Sequence, residues 1–271
     1  MKYVLFTGAT GDLGRCCIEE IVKTGDWTVF AGGTNKEKLA QLGKLPNVIP
    51  VELDVTSEES IENVYRTVRS HTYTLDAVVN FAGIHTFTSL VEGNCVQEIE
   101  KMLNVNVMGM VRVNKRFFEM IRIGHGRIVN CSSESGWMTP QPFNGPYTMT
   151  KYAVEAYNDS LRRELMYLDI PVIKLQPGSF KTQLTNKIYR DFDAAIESTN
   201  YFRNILTTMK PMMTMELGLD HDPKKLAKKL LLALTAKLPR TKYKVCTGKL
   251  LMTLELLPDK VVDVAYRAIV R

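Results

Sequence analysis

The sequence lacks the features of a membrane-spanning, metal-binding or disulfide-stapled protein. No apolar run approaches the roughly 20 residues that a bilayer span requires, so we expect no transmembrane segment. The five cysteines and four histidines show no CxxC or comparable ligand spacing, which predicts neither a metal site nor a disulfide framework. Met1-Lys2 leads directly into the first predicted strand without a cleavable signal, and free thiols are typical of the cytosol. We therefore expect a cytoplasmic protein.

A strong charge of one sign is also missing. The formal net charge is +6, and the basic residues are spread along the chain. The one dense group, Lys224-Lys225 and Lys228-Lys229, lies beside leucines and is typical of the solvated face of a helix. This pattern predicts no nucleic-acid binding, although it is compatible with an anionic cofactor or substrate. No repeat, low-complexity segment or linker divides the chain, so a single domain is predicted over residues 1–271.

Segments of strand length alternate with helical patterns along most of the chain. This alternation predicts an α/β protein with a doubly wound parallel sheet between two layers of helices, a three-layer Rossmann fold. Thr34-Asn35-Lys36-Glu37 and Thr56-Ser57-Glu58-Glu59 predict helix starts with capping boxes. Longer helices are predicted over residues 96–120 and 147–168. The predicted strands cover residues 3–7, 27–31, 48–53, 75–80, 127–131, 172–175 and 243–246.

Two segments depart from this alternation. Residues 183–223 carry four methionines, at positions 209, 212, 213 and 215. We interpret this segment either as a helical lid over an apolar substrate or as an ordinary helical hairpin packed on the core. Residues 250–271 form an amphipathic C-terminal tail that could seal a pocket, join a partner subunit or touch a membrane.

A glycine-rich turn follows the first predicted strand. Gly8, Gly11 and Gly14 stand where a strand passes into a helix, and each has a use there. They permit a tight turn, let the backbone approach a pyrophosphate and let the helix pack on the sheet. The free N–H groups of the helix start favour phosphate, so the turn predicts dinucleotide binding.

The end of the second strand bears on the choice of dinucleotide. Gly32-Gly33-Thr34 contains no acid to bind a ribose 2′-hydroxyl and repel a 2′-phosphate. This absence favours NADP(H), with NAD(H) possible, because no arginine decides the matter. Asp54, at the end of the third strand, is interpreted either as an adenine contact or as a helix cap.

Tyr147 and Lys151 lie four residues apart in a predicted helix. Residues at this spacing share a helix face, so the phenol and the ammonium group should lie side by side. A neighbouring cation favours the phenolate form of a tyrosine. A tyrosine in that state can give or take a proton at an alcohol or ketone oxygen, but the pair alone also fits a solvated helix face.

Taken together, the motifs resemble the short-chain dehydrogenase/reductase family. The resemblance runs from Met1 to about Thr182 and rests on several motifs in the family's order. Those motifs are Thr7-Gly8-x-x-Gly11-x-x-Gly14, Asp54-Val55, Asn80-Phe81-Ala82-Gly83, Asn106, Ser132-Ser133-x-x-Gly136, Tyr147-x-x-x-Lys151 and Pro177-Gly178-x-x-x-Thr182.

The resemblance implies a role for each of four catalytic residues. Tyr147 would be the acid/base, and Lys151 would bind the nicotinamide ribose and favour the ionised tyrosine. Ser133 would hold the substrate oxygen, while Asn106 would anchor a water in a proton relay through Lys151.

The resemblance also predicts the cofactor contacts. Asn80, Ala82 and Gly83 would line the adenosine side, and residues 177–182 would hold the nicotinamide. The complete predicted cofactor set is Gly8, Thr10, Gly11, Asp12, Leu13, Gly14, Thr34, Asn35, Asp54, Val55, Asn80, Ala82, Gly83, Tyr147, Lys151, Pro177, Gly178, Phe180 and Thr182.

Three departures from the family pattern affect these assignments. Asp12 stands where a small residue is usual, and its charge would repel a pyrophosphate unless it points away or caps a helix. The spacing from Ser133 to Tyr147 is slightly long, so Ser132 or Ser135 could serve instead. Phe81 replaces a second asparagine, a change that we expect to be tolerated.

The helix that carries Tyr147 and the 177–182 stretch look like the hydroxysteroid and retinol dehydrogenase branch. The resemblance implies an NADP(H)-dependent dehydrogenase of a bulky apolar, steroid-like alcohol or ketone, most simply a hydroxysteroid dehydrogenase. The alternatives are a reductase of retinal or of a 3-oxoacyl thioester, and a non-catalytic NADP(H)-sensing protein. Family habit also predicts a homodimer or homotetramer.

Overall fold

A seven-stranded sheet with every neighbouring pair parallel forms the centre of the molecule. The computed structural model describes residues 1–217 and 221–270. Its strands stand in the order β3-β2-β1-β4-β5-β6-β7. They are β1 (Lys2–Thr7), β2 (Trp27–Gly33), β3 (Val48–Glu52), β4 (Ala77–Asn80), β5 (Arg127–Cys131), β6 (Val172–Pro177) and β7 (Lys242–Val245). The predicted single-domain Rossmann fold is confirmed.

Helices cover both faces of the sheet. They are α1 (Asp12–Val22), α2 (Lys36–Leu42), α3 (Glu58–His71), α4 (Cys95–Leu103), α5 (Met110–Ile123), α6 (Gly145–Leu165), α7 (Gln183–Ser198), α8 (Arg203–Leu217), α9 (Lys224–Thr235), α10 (Lys249–Leu254) and α11 (Asp259–Val270). The helix predicted over residues 96–120 is divided by a π-helical segment, Asn104–Gly109.

The alternation of side chains along each strand divides the core into two layers. Val4 and Phe6 of β1 point to the layer that contains Leu226 of α9. Leu5, between them, points to the opposite layer, which contains Phe117 of α5. This period of two fixes the register of the sheet, because a shift by one residue would turn the buried side chains of β1 to the wrong layer.

The caps of two helices differ by one residue from the predicted boxes. Asn35, not Thr34, caps α2 by accepting a hydrogen bond from the Lys38 backbone N. Likewise, Ser57 caps α3 in place of Thr56. Asparagine and serine are at least as good as threonine at this position, so either of two adjacent polar residues can begin the helix.

The segment predicted as a lid contains the α7–α8 pair. Phe192, Leu206 and Met209 pack with Phe87 in a small hydrophobic cluster of their own. Residues 218–220 of that segment, and Arg271 of the predicted tail, lie outside the described residues. Nowhere in residues 1–217 and 221–270 does a helix have both the length and the apolar character needed to cross a bilayer.

Candidate active site

A cavity of about 590 Å³ opens at the carboxyl ends of the strands. The loops after β1, β4, β5 and β6 line it, together with the first half of α7. The chain order of the strands reverses between β1 and β4, and ligands of open α/β sheets bind at such a reversal. Of the predicted site residues, the lining contains Gly8, Gly11, Asp12, Leu13, Gly14, Gly83, Ser133, Tyr147, Lys151, Pro177, Gly178, Phe180 and Thr182.

The glycine turn forms one end of this cavity and requires two of its glycines. Gly8 has a φ of 71°, a conformation that costs a side-chain-bearing residue free energy. A Cβ on Gly14 would lie 2.3 Å from the carbonyl oxygen of Gly8, so only glycine lets α1 approach the turn so closely. Gly11 caps α1 without a side-chain acceptor. The turn thus offers open backbone N–H groups to an anion, and the residues present fit a dinucleotide.

Asp12 is turned towards α7. Its Oδ2 accepts a hydrogen bond of 2.6 Å from the backbone N of Gln183, the first residue of that helix. The carboxylate therefore satisfies one of the N–H groups that a helix start leaves free. Gln183 is held on its other side as well, because Lys38 Nζ donates to its Oε1 at 3.0 Å. The carboxylate that could repel a pyrophosphate is thus hydrogen-bonded at the start of α7, to a residue 171 positions away in the chain.

A second cavity, of about 300 Å³, adjoins the glycine turn. Its lining includes Thr10, Asp12 and Asn35 from the predicted cofactor set, and the further charged residues Arg15, Lys38 and Glu37. Arg15 is half exposed and pairs with Glu19 at 2.9 Å.

Six predicted residues line neither cavity: Thr34, Asp54, Val55, Asn80, Ala82 and Asn106. Asp54 Oδ1 accepts hydrogen bonds from the N and Oγ1 of Thr56, at 2.8 and 2.7 Å. This turn precedes α3, but Ser57 is the N-cap of that helix, so Asp54 is not its cap.

Asn80 lies in a buried cluster of amides. Its Nδ2 donates to Asn114 Oδ1 at 2.7 Å and to Asn130 Oδ1 at 2.9 Å. Asn130 in turn donates to Asn158 at 3.0 Å, and Asn114 donates to the Tyr157 hydroxyl at 3.1 Å. The cluster therefore joins two strands of the sheet to α5 and α6, beneath the candidate site.

Tyr147 and Lys151 share one face of α6, as predicted. Lys151 Nζ lies 5.5 Å from the centre of the Tyr147 ring. The lysine is buried, and its ammonium group donates to the carbonyl oxygen of Cys131, at the end of β5, over 3.1 Å. That hydrogen bond fixes the cation beside the tyrosine.

Three serines approach the same cavity. Ser133 Oγ accepts a hydrogen bond from Ser135 N at 3.2 Å and caps the short 3-10 helix that follows. As a hydroxyl it still has a proton to donate. Ser132 Oγ is buried and has no partner among the described residues. All three line the cavity, so the choice between them stays as open as the sequence left it.

Asn106 lies in the π-helical segment and ties two parts of the site together. Its Oδ1 accepts from Ile84 N at 2.8 Å, and its Nδ2 donates to Ile84 O at 2.9 Å and to Thr150 Oγ1 at 3.1 Å. π-Helical insertions of this kind are frequent at functional sites. The proposed water-anchoring role of Asn106 stays a prediction.

The sequence reasoning missed His85. Its ring packs against Tyr147 with 4.4 Å between the ring centres, and its Nε2 lies 2.9 Å from Asn144 Oδ1. Burial lowers its pKa to about 4, against the effect of the hydrogen bond to Asn144, so the imidazole is neutral at neutral pH. The only signal was its place two residues after Gly83, at the carboxyl end of β4, where catalytic loops concentrate.

The rest of the cavity lining mixes apolar and polar side chains. Its apolar members include Ile84, Phe87, Leu184, Ile188 and Met213. Its polar members include Glu134, Gln141, Asn144, Lys187 and Arg190. Met213 is the one residue of the predicted methionine cluster in this lining, while Met209 is buried in the same hydrophobic cluster as Phe87.

Comparisons with known protein sequences find a matching family model and several relatives. The family model described as short chain dehydrogenase matches residues 2–193. Retinol dehydrogenase 16 of Mus musculus is 30% identical over 97% of this chain and 86% of its own length. The 17-beta-hydroxysteroid dehydrogenase type 6 of Homo sapiens is 34% identical over 68% of this chain, an alignment that spans 59% of that protein.

Solved structures share the fold at lower identity. A short-chain dehydrogenase from Streptomyces avermitilis superposes with a TM-score of 0.77 at 23% identity, covering 98% of this chain and 94% of the other. A short chain dehydrogenase from Burkholderia cenocepacia, solved in complex with NADP, has a TM-score of 0.74 at 19% identity and covers 98% and 99% of the two chains.

Proposed function

Because this chain belongs to the short-chain dehydrogenase family, we propose that it transfers a hydride between NADP(H) and a bulky, largely apolar secondary alcohol or its ketone. It is an oxidoreductase of the retinol and hydroxysteroid dehydrogenase branch. One observation carries the proposal: Tyr147, Lys151 and Ser133 line the same cavity as the glycine turn. A cofactor bound along that cavity can therefore meet a substrate at the tyrosine.

The protein's part in the reaction is to hold the substrate oxygen and to move one proton. The bound nicotinamide supplies or accepts the hydride. In the reducing direction, the Tyr147 hydroxyl donates its proton to the ketone oxygen as negative charge develops there. Ser133 donates a hydrogen bond to the same oxygen, and the Lys151 cation stabilises the phenolate that remains. Oxidation of the alcohol reverses these steps.

The second cavity supports the preference for NADP(H). It places Arg15 and Lys38 beside the end of β2, where no acid follows Gly33. A 2′-phosphate would there accept charge-assisted hydrogen bonds from both cations. Asp12 and Glu37 in the same lining oppose this preference, so NAD(H) is the alternative cofactor.

The substrate hypothesis rests on the retinol and hydroxysteroid dehydrogenase branch and on the apolar side chains that line the cavity. Phe87, Ile188 and Met213 offer the kind of apolar surface that a steroid-like ring system covers. Retinal and a 3-oxoacyl thioester are the alternatives within the same chemistry. A non-catalytic NADP(H) sensor is the alternative outside it.

The oligomeric state is inferred from the family, and the cellular location from the sequence. We propose a homodimer or homotetramer, which the exposed side chains of Met149 and Tyr152 on α6 support, because a partner would cover them. Light scattering at several protein concentrations tests this. Cytoplasmic localisation stays a prediction from the sequence.

Turnover by the wild type and by Tyr147→Phe tests the function. Purified protein is assayed by NADPH and NADH fluorescence against oxo-steroids, retinal and acyl ketones. We expect turnover by the wild type, and at least about a hundredfold loss of kcat in Tyr147→Phe without the proton donor. The Kd for NADPH should stay within about threefold, because the ring still fills its place. Substantial turnover by Tyr147→Phe would contradict the role of Tyr147, and cofactor binding without any turnover would favour a sensor.

Arg15→Ala tests the cofactor preference. Loss of the guanidinium should raise the Kd for NADPH about tenfold, because one charge-assisted hydrogen bond to the 2′-phosphate is lost. The Kd for NADH, which lacks that phosphate, is the internal control and should not change. Equal effects on the two cofactors would contradict a 2′-phosphate site at Arg15.

A further inference from the structure

His85 has a place in the site that the proposed chemistry does not use. It follows β4 in a loop, and its side chain is 5% exposed. It lines the cavity beside Tyr147. Among the described residues, no other aromatic pair brings its ring centres as close as the 4.4 Å between His85 and Tyr147.

His85 is held once through its ring and once through its backbone. With Asn144 Oδ1 as acceptor, Nε2 carries the proton and donates to it over 2.9 Å. Asn144 stands immediately before α6, three residues ahead of Tyr147, so the bond joins His85 to the start of the helix that bears the tyrosine. The backbone oxygen of His85 accepts a hydrogen bond from Lys187 of α7 at 3.1 Å, and Lys187 also pairs with Asp191.

His85 is poorly suited to transfer a proton itself. Its burial keeps the ring neutral at working pH, and its one N–H is already bonded to Asn144. Nδ1 is buried and has no partner among the described residues. A neutral ring also leaves Lys151 as the cation that stabilises the phenolate form of Tyr147.

Contact with a fixed ring can instead orient Tyr147. The tyrosine lies in the first turn of α6 and is only partly buried, and the planes of the two rings meet at 50°. Tilted packing of this kind is favourable between aromatic rings and restricts rotation of the phenol. The direction of the hydroxyl matters, because a displacement of about 1 Å at a reacting group can cost about a hundredfold in rate.

We propose that His85 is a positioning residue, whose ring holds the Tyr147 phenol in line with the substrate oxygen for proton transfer. The inference rests on the function proposed above. It concerns the flat, buried ring of His85 as the surface that contacts Tyr147; the hydrogen bond to Asn144 helps to fix that ring but does not touch the phenol.

His85→Phe and His85→Leu, made in the full chain, separate a ring contact from mere volume. Both replace the buried imidazole by an apolar side chain of comparable size, but only phenylalanine keeps a flat ring against Tyr147. We expect His85→Phe to keep kcat within about threefold of the wild type, and His85→Leu to lose at least about tenfold. In both variants, KM for the best substrate of the carbonyl panel and the Kd for NADPH should change by less than about threefold. Binding of the substrate and of the cofactor in the ground state does not depend on the orientation of the Tyr147 hydroxyl.

The control is His71→Leu, on the exposed end of α3. His71 also contacts an aromatic ring, that of Phe30 at 5.6 Å, but it lies outside the cavity. All three constants should match those of the wild type.

Equal kcat values in His85→Phe and His85→Leu would overturn the proposal, and so would an equal loss of all activity. A raised KM with unchanged kcat in His85→Leu would also overturn it, because His85 would then be a wall of the substrate site. A wild type that binds NADPH without reducing any carbonyl is a different result: it refutes the proposed function, and this inference with it.

Discussion

Acidification tests whether His85 is buried as a neutral imidazole. Burial lowers its pKa from 6.5 to about 4, although the hydrogen bond to Asn144 acts in the opposite direction. In the unfolded chain the group titrates near its ordinary value. Between the two values the unfolded state therefore binds more protons than the folded state. The free energy of unfolding should fall as the pH falls from about 6.5 to about 4.

The size of the effect follows from the two pKa values. Each unit of pKa difference is worth about 1.4 kcal/mol, so at pH 5 this one residue should remove about 2 kcal/mol of stability. Carboxylates also titrate on acidification, but they do so in every variant. The contribution of His85 is therefore the part of the pH dependence that disappears in His85→Phe.

Urea unfolding of the wild type, His85→Phe and His71→Phe at pH 7 and pH 5 measures this difference. Between the two pH values, the wild type and His71→Phe should each lose about 2 kcal/mol more than His85→Phe does. The same loss in all three proteins would refute the reasoning, because the imidazole would then not be buried uncharged.

Two further predictions concern the glycine turn. Gly14→Ala should raise the Kd for NADPH at least about tenfold, since the added Cβ would lie 2.3 Å from the Gly8 oxygen and open the turn. Gly25→Ala is the matched control: φ is 76° but the space around it is open, so it should cost about 1 kcal/mol of stability and leave the Kd unchanged. Asp12→Asn keeps an oxygen acceptor for Gln183 but removes a negative charge, so the Kd for NADPH should fall about threefold; a higher Kd by fluorescence titration would contradict this.

Local geometry was predictable from the sequence. The helix period alone places Tyr147 and Lys151 on one face of α6, and the strand-helix alternation alone predicts a parallel sheet between two layers of helices. The interruption of the helix predicted over residues 96–120 could not be predicted from the sequence. Its π-helical segment accompanies the hydrogen bonds of Asn106 to Ile84 and Thr150, which are distant in sequence.

The hydrogen-bond partners of individual polar side chains could not be predicted from the sequence either. Nothing near Asp12 indicates that its carboxylate bonds to Gln183, because the two meet only when α7 folds over the turn. The same holds for Asn80, whose motif suggested a cofactor contact but whose amide bonds to Asn114 and Asn130. Contacts between residues far apart in the sequence determine the hydrogen-bond partners in both cases. No periodic pattern in the sequence indicates those contacts.

The buried asparagine cluster has a consequence for how this protein can evolve. Each amide of the cluster is hydrogen-bonded to at least one other, among Asn80, Asn114, Asn130 and Asn158. Replacing one of them by an apolar residue therefore leaves a buried amide without its partner. Replacing several together removes donor and acceptor at once, and that costs far less than the single changes would suggest. These positions are therefore strongly epistatic. A lineage can leave this arrangement only by passing through less stable intermediates or by changing several codons together.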